Sequence, residues 1–185
     1  MTGSGTAVVV EAHDETADTT VDLRRWSEVA RSTLTLEGVR AGRLDLIFVD
    51  SEAMAELNRE HMGHEGPTDV LAFPLDGPTA LADRDDTPAG EGTAGDDGPG
   101  GLDPAGAAVG DPSLHLGDVV VCPRVATEQA SAHTGSEDAE LTLLVVHGLL
   151  HVLGHDHAEA TETARMRGRE RVHLERYGFA HPEGG

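Results

Sequence analysis

The stretch Leu141–His157, LTLLVVHGLLHVLGHDH, decides how the chain is read. Its first half is apolar nearly all round, the pattern of a helix buried on every side. Ser136 caps that helix, with Glu137, Asp138 and Glu140 in its positive first turn. His147 and His151 stand four residues apart, so a helix places both imidazoles on one face, about one turn (~6 Å) apart. Gly154 is a natural residue to end the helix, which lets the chain turn back and bring His157 to the same point. Three neutral imidazole nitrogens and a water form the catalytic pattern of zinc. The spacing therefore predicts His147, His151 and His157 as ligands of one Zn²⁺ per chain; His155, two residues before His157, is the alternative third ligand. A pair of histidines on an apolar face needs partners there, which a metal supplies.

The ladder H-x-x-x-H-x-x-G-x-x-H is shared with the metzincin metalloproteases, which carry Glu directly after the first His as general base. Here that position is Gly148, which moves no proton. The peptidase reading loses its base while the metal site survives.

Three blocks then point to one family. HGLLHVLGHDH resembles the signature of the YbeY family of rRNA-maturation endoribonucleases. Leu57-Asn58 followed by Gly66-Pro67-Thr68-Asp69-Val70-Leu71-Ala72-Phe73-Pro74 resembles a second block, and Leu116-Gly117-Asp118-Val119-Val120-Val121-Cys122-Pro123 a third. They occur in the family's order, and the resemblance spans roughly residues 5–178. It implies a strand at Asp69–Phe73 bordering the metal cleft, with Thr68 and Asp69 facing substrate; a turn held by an Asx hydrogen bond is the competing reading of those two. Two positions depart from the pattern: His155 stands where the family usually has Tyr, and Met62 where many members have an Arg.

At 185 residues the chain is expected to be a single domain, 1–185, with its core at about 5–178. The one cysteine, Cys122, excludes an internal disulfide and suits a reducing compartment. The N-terminus has no basic region followed by an apolar run, and no apolar stretch is long enough for a bilayer, so a cytoplasmic protein without a membrane partner is expected. The net charge is −21, and all 13 basic residues are Arg. Residues 77–112 carry eight acids against Arg84 alone and are dominated by Gly, Asp, Pro and Ala; they read as a disordered acidic insert. Nucleic-acid affinity needs local basic groups on so acidic a chain; Arg40, Arg43, Arg59 and Arg124 are the candidates, with a solvated surface charge as the competing reading of each.

The remaining elements follow in order. Ala7–Ala12 reads as a strand, Val21 to about Leu36 as a helix with Trp26 on its apolar stripe, and Leu44–Val49 as a second strand. Asp50-Ser51 caps a short helix, where His61 and His64 follow as loop histidines; Leu116–Cys122 is a strand, and Pro123 starts a helix. A last helix from about Glu159 to Tyr177 turns Met166, Leu174 and Tyr177 to the core, Asp156 either caps it or orients a ligand imidazole, and the tail beyond Phe179 frays. The expected architecture is α+β: a four-stranded sheet, mixed as the family implies, with a central buried metal-binding helix and flanking helices. The resemblance implies a zinc-dependent endoribonuclease that cuts single-stranded RNA in 16S rRNA 3′-end maturation and ribosome quality control. Its partners would be rRNA and the small subunit, and a zinc-bound water its reactive group. The alternatives are a non-catalytic, zinc-stabilised ribosome-assembly factor and a zinc metallopeptidase.

Overall fold

A computed structural model describes residues 7–17, 19–75, 114–155 and 159–182. The acidic insert expected at 77–112 lies outside the described residues. Among the described residues, nine elements follow in the order β-α-β-α-β-β-α-α-α: β1 Ala7–Glu15, α1 Leu23–Leu36, β2 Ala41–Val49, α2 Ser51–Met62, β3 Val70–Pro74, β4 His115–Val121, α3 Pro123–Ala130, α4 Glu137–Val152 and α5 Ala160–Arg176. No helix among the described residues is long and apolar enough to cross a membrane.

The four strands form one sheet in the order β1-β2-β4-β3. β1, β2 and β4 run parallel, and β3 pairs antiparallel with β4 along the edge. Alternation sorts the side chains onto two faces. Leu44, Leu46, Phe48, Val119 and Val121 pack with α1 and α4 in the main core, where Trp26 is 3% exposed. Val49, Leu71 and Val120 face the other way, under Met54 of α2. Cys122 is buried at the end of β4, as a small apolar residue would be.

Helix ends follow local chemistry. Asp22 caps α1, its side chain accepting from Arg25 N at 3.1 Å. Asp50 caps α2, Pro123 opens α3, and Ser136 Oγ accepts from Ala139 N at 3.2 Å at the start of α4. Glu159 and Glu162 form a capping box on α5, so the cap there belongs to Glu159; Asp156 lies outside the described residues. Two details of the C-terminal region differ from expectation. Tyr177 is 36% exposed rather than in the core. The tail does not fray at Phe179: Phe179 N donates to Leu174 O, and His181 Nε2 reaches back to Glu170 at 2.8 Å.

Eleven residues of α4 are buried, which makes it the centre of the fold. Its approach to the sheet depends on Gly148. A Cβ there would lie 2.6 Å from Val119 Cγ1 and 3.1 Å from Val70 Cγ2. The position that carries the metzincin base is therefore pressed against the sheet, with no room for a side chain.

Candidate metal centre

His147 and His151 stand on the last two turns of α4, and His147 lines a cleft of about 380 Å³. Their rings meet edge-on, with centroids 4.6 Å apart and planes at 81°. The two Nε2 atoms are 3.1 Å apart. Each Nδ1 is already committed. His147 Nδ1 donates to Glu170 Oε1 at 2.7 Å, and His151 Nδ1 donates to the carbonyl of His155 at 3.0 Å. Both partners only accept, so in neutral rings the proton sits on Nδ1 and a lone pair on each Nε2. Two lone pairs turned toward each other at 3.1 Å repel unless a cation lies between them. Metal–nitrogen bonds of about 2.0 Å in a tetrahedron place neighbouring donors about 3.3 Å apart. The pair thus fits a divalent metal ion without rearrangement.

The helix end sets this geometry. Gly154, at φ 91°, closes α4 with two backbone bonds, Gly154 N to His151 O and His155 N to Leu150 O. These are the paired bonds of a Schellman turn. The turn carries the His155 carbonyl back over the helix to orient His151. It sends the His155 ring elsewhere: its Nε2 is 3.9 Å from Glu37 Oε2, and burial pushes its pKa down despite the nearby Glu37 carboxylate. His157 lies outside the described residues. His61 and His64 are exposed, and His61 packs edge-on against Phe73 at 4.9 Å.

Glu170 is the residue that sequence reasoning missed. It lies on α5, 23 positions beyond His147, with its side chain 6% exposed. Burial raises its pKa, but the hydrogen bonds from His147 and His181 outweigh this and hold the carboxyl below its ordinary range. It stays ionised and fixes the ring of a ligand histidine, the usual carboxylate–histidine support of a metal site. Its one signal in the sequence is its place on the stripe of α5 that carries Met166 and Leu174, four residues to either side. Asp69 lines the same cleft, and its Oδ1 accepts from Val70 N at 2.8 Å and Thr68 Oγ1 at 3.2 Å. The turn bond and the position beside the cleft therefore coexist. Glu140, fully buried below, accepts from His133 Nδ1 at 2.9 Å and Thr134 Oγ1 at 2.8 Å.

Three of the four candidate arginines sit in surface ion pairs. Arg43 pairs with Asp45, Arg59 with Glu56 and Arg124 with Glu128. The concentration of arginine is on α5, which holds Arg165, Arg167, Arg169, Arg171 and Arg176 against three Glu. Arg167 lines the cleft together with His147.

Residues 11–178 match the family described as Endoribonuclease YbeY. Among curated relatives, an Endoribonuclease YbeY of Salinispora tropica is 45% identical over 84% of this chain and 86% of its own length. Another, from Beutenbergia cavernae, is 40% identical over 80% and 83%. The solution structure of TM1509 from Thermotoga maritima shares the fold, with a TM-score of 0.55 at 22% identity, covering 90% of this chain and 87% of that one.

Proposed function

This chain belongs to the Endoribonuclease YbeY family, and on that premise we propose that it is a metal-dependent endoribonuclease acting on single-stranded rRNA. The observation that carries the reading is the pair of converging Nε2 atoms at 3.1 Å, each backed by an acceptor on its Nδ1, with His147 lining a cleft. The metal is zinc, held by His147, His151 and His157, with His155 turned away toward Glu37. Bound there, zinc would supply Lewis-acid polarisation of a phosphoryl oxygen and a water acidified to a pKa of about 7.

The chain's own residues supply the rest. Glu170 keeps His147 in the tautomer that presents Nε2 to the metal. The His155 carbonyl does the same for His151. Arg167 lines the cleft from α5, the helix with the most Arg among those described, and would bring positive charge to a phosphodiester there, a task suited to its planar donor array. Asp69, which lines the cleft, and Thr68, which donates to it, would meet the sugar or base. Gly148 offers no proton-transfer group and no space for one, so the site is poorly suited to the metzincin mechanism of peptide cleavage. In the cell the substrate would be the 3′ end of 16S rRNA, in small-subunit maturation and ribosome quality control, in the cytoplasm.

The net charge of −21 makes encounter with free RNA unfavourable, so cleavage of naked RNA should be weak and should rise with Mg²⁺ or on ribosomal particles. The test is a labelled rRNA 3′-end precursor, free and within particles, beside a peptide library, with the intact protein and His151→Ala. RNA cleavage by the intact protein alone is expected. Zinc-dependent peptide cleavage would move the assignment to a peptidase. Zinc binding without cleavage in any format would make the protein a zinc-stabilised assembly factor.

A further inference from the structure

A second group of metal-binding side chains lies on the far side of the sheet from α4. Asp45 of β2 stands opposite Asp118 of β4 in the ladder, and His115 opposite Arg43. In a regular strand His115 and Asp118, three residues apart, would point to opposite faces. A register shift between Arg43 and Leu44 inserts one extra residue in β4 and brings both to the same face. Gly117 makes the bulge feasible: its φ is 148°, and a Cβ would lie 2.4 Å from Phe73 O.

The result is a converging set of donors. His115 Nε2 lies 3.1 Å from Asp45 Oδ2 and 3.2 Å from Asp118 Oδ1. The ligand atoms of the three residues all lie within 4.8 Å of one another. Three of these atoms, Asp45 Oδ1, Asp118 Oδ1 and His115 Nε2, are shut off from solvent and form no hydrogen bond. The two short approaches of the imidazole therefore lack hydrogen-bond direction, and a proton on His115 would not satisfy them. Arg43 reaches Asp45 Oδ2 at 2.7 Å from the outside and leaves Oδ1 turned inward. Buried polar atoms without partners are costly, and two carboxylates around one nitrogen repel. A cation at the point of convergence removes both costs. The separations of 3.1 and 3.2 Å are close to the donor spacing of about 3.3 Å that a tetrahedral ion with bonds of about 2.0 Å requires.

We propose that Asp45, His115 and Asp118 bind a second divalent ion, of first-row transition type, which clamps β2 to β4 at the bulge. Two carboxylates and one imidazole favour Zn²⁺, Mn²⁺ or Co²⁺ over Mg²⁺, which keeps its waters and prefers oxygen donors alone. Glu11, beside Asp45 in the register with β1, and His13 on the same strand form an adjoining group that shares Asp45 and offers a further ligand. This site is independent of the α4 pair, because the sheet separates them.

The test uses untagged full-length protein, stripped of metal and titrated with Co²⁺ or Zn²⁺. Visible absorption reads Co²⁺, elemental analysis after dialysis reads Zn²⁺, and circular dichroism checks the fold. His147→Ala/His151→Ala should retain one ion per chain and a metal-dependent rise in Tm. Adding His115→Ala or Asp118→Asn should weaken that binding at least tenfold and abolish the rise. If the double variant does not fold, the stoichiometry of His115→Ala alone decides, falling from two ions to one. A folded double variant that holds no ion, or an ion indifferent to His115 and Asp118, would overturn the proposal without touching the α4 site.

Discussion

Replacing Gly148 with Ala should destabilise the protein although it improves the helix. In an exposed helix Gly→Ala gains about 1 kcal/mol. Here the added methyl would sit 2.6 Å from Val119 Cγ1, 3.1 Å from Val70 Cγ2 and 3.5 Å from Val119 Cγ2. Ordinary carbon contacts are about 3.5–4.0 Å, so Val119 or the helix must retreat by about 1 Å. Val119 is fully buried and β-branched, with few rotamers to escape into. Overpacking of this kind costs about 1–3 kcal/mol, and a contact this short belongs at the upper end. The net is about 2 kcal/mol of destabilisation, equivalent to a Tm lower by about 4–8 °C for a chain of this size. The measurement is urea denaturation with chelator present, so that metal linkage does not contribute. Val119→Ala makes room, and the double variant should recover about 2 kcal/mol relative to the sum of the singles. A Gly148→Ala protein as stable as the parent, or additive behaviour with Val119→Ala, would refute the claim that α4 is pressed on the sheet at this point.

Other outcomes follow from the same geometry. His147→Ala and His151→Ala should each abolish zinc at the α4 site, whereas His155→Ala should keep it; elemental analysis in a His115→Ala background distinguishes these. Glu170→Gln should weaken zinc binding about 10–100-fold without abolishing it, because the carboxylate orients a ligand rather than contacting the ion. Arg167→Ala should lower kcat/KM on RNA about 10–100-fold, the loss of a charge-assisted contact of about 1.5–3 kcal/mol, with zinc content unchanged. Glu37 accepts from Arg169 at 2.7 Å and His173 at 2.5 Å; burial opposes its ionisation, but these bonds win and depress its pKa. A depressed carboxylate contributes stability that is present above its unfolded pKa, near 4.5, and is lost as pH falls through the lower folded value. Glu37→Gln should therefore unfold more easily at pH 7 and show a flatter acid limb in denaturation; an unchanged limb would show that the network does not couple folding to protonation.

Local pattern was sufficient wherever one element decides the outcome. The helical run of α4, its Ser136 cap, the i,i+4 histidines and the Gly154 stop depend on contacts within a few residues, so they were legible from the chain alone. The alternating apolar strands and the caps at Asp50 and Pro123 were legible for the same reason. What required the tertiary structure was every pairing across distance. Glu170 meets His147 from another helix, and Glu37 gathers Arg169, His173 and the edge of His155 from positions more than 100 residues away. The tail looked free to fray because its anchor, Glu170, is not a sequence neighbour of His181. Asp45, His115 and Asp118 come together only because a bulge reverses the strand's alternation, and period-two reading assigns them to different faces. Secondary structure is governed by short-range sterics and hydrogen bonds that each residue type states for itself. Charges and ligands converge through packing, which local sequence does not encode.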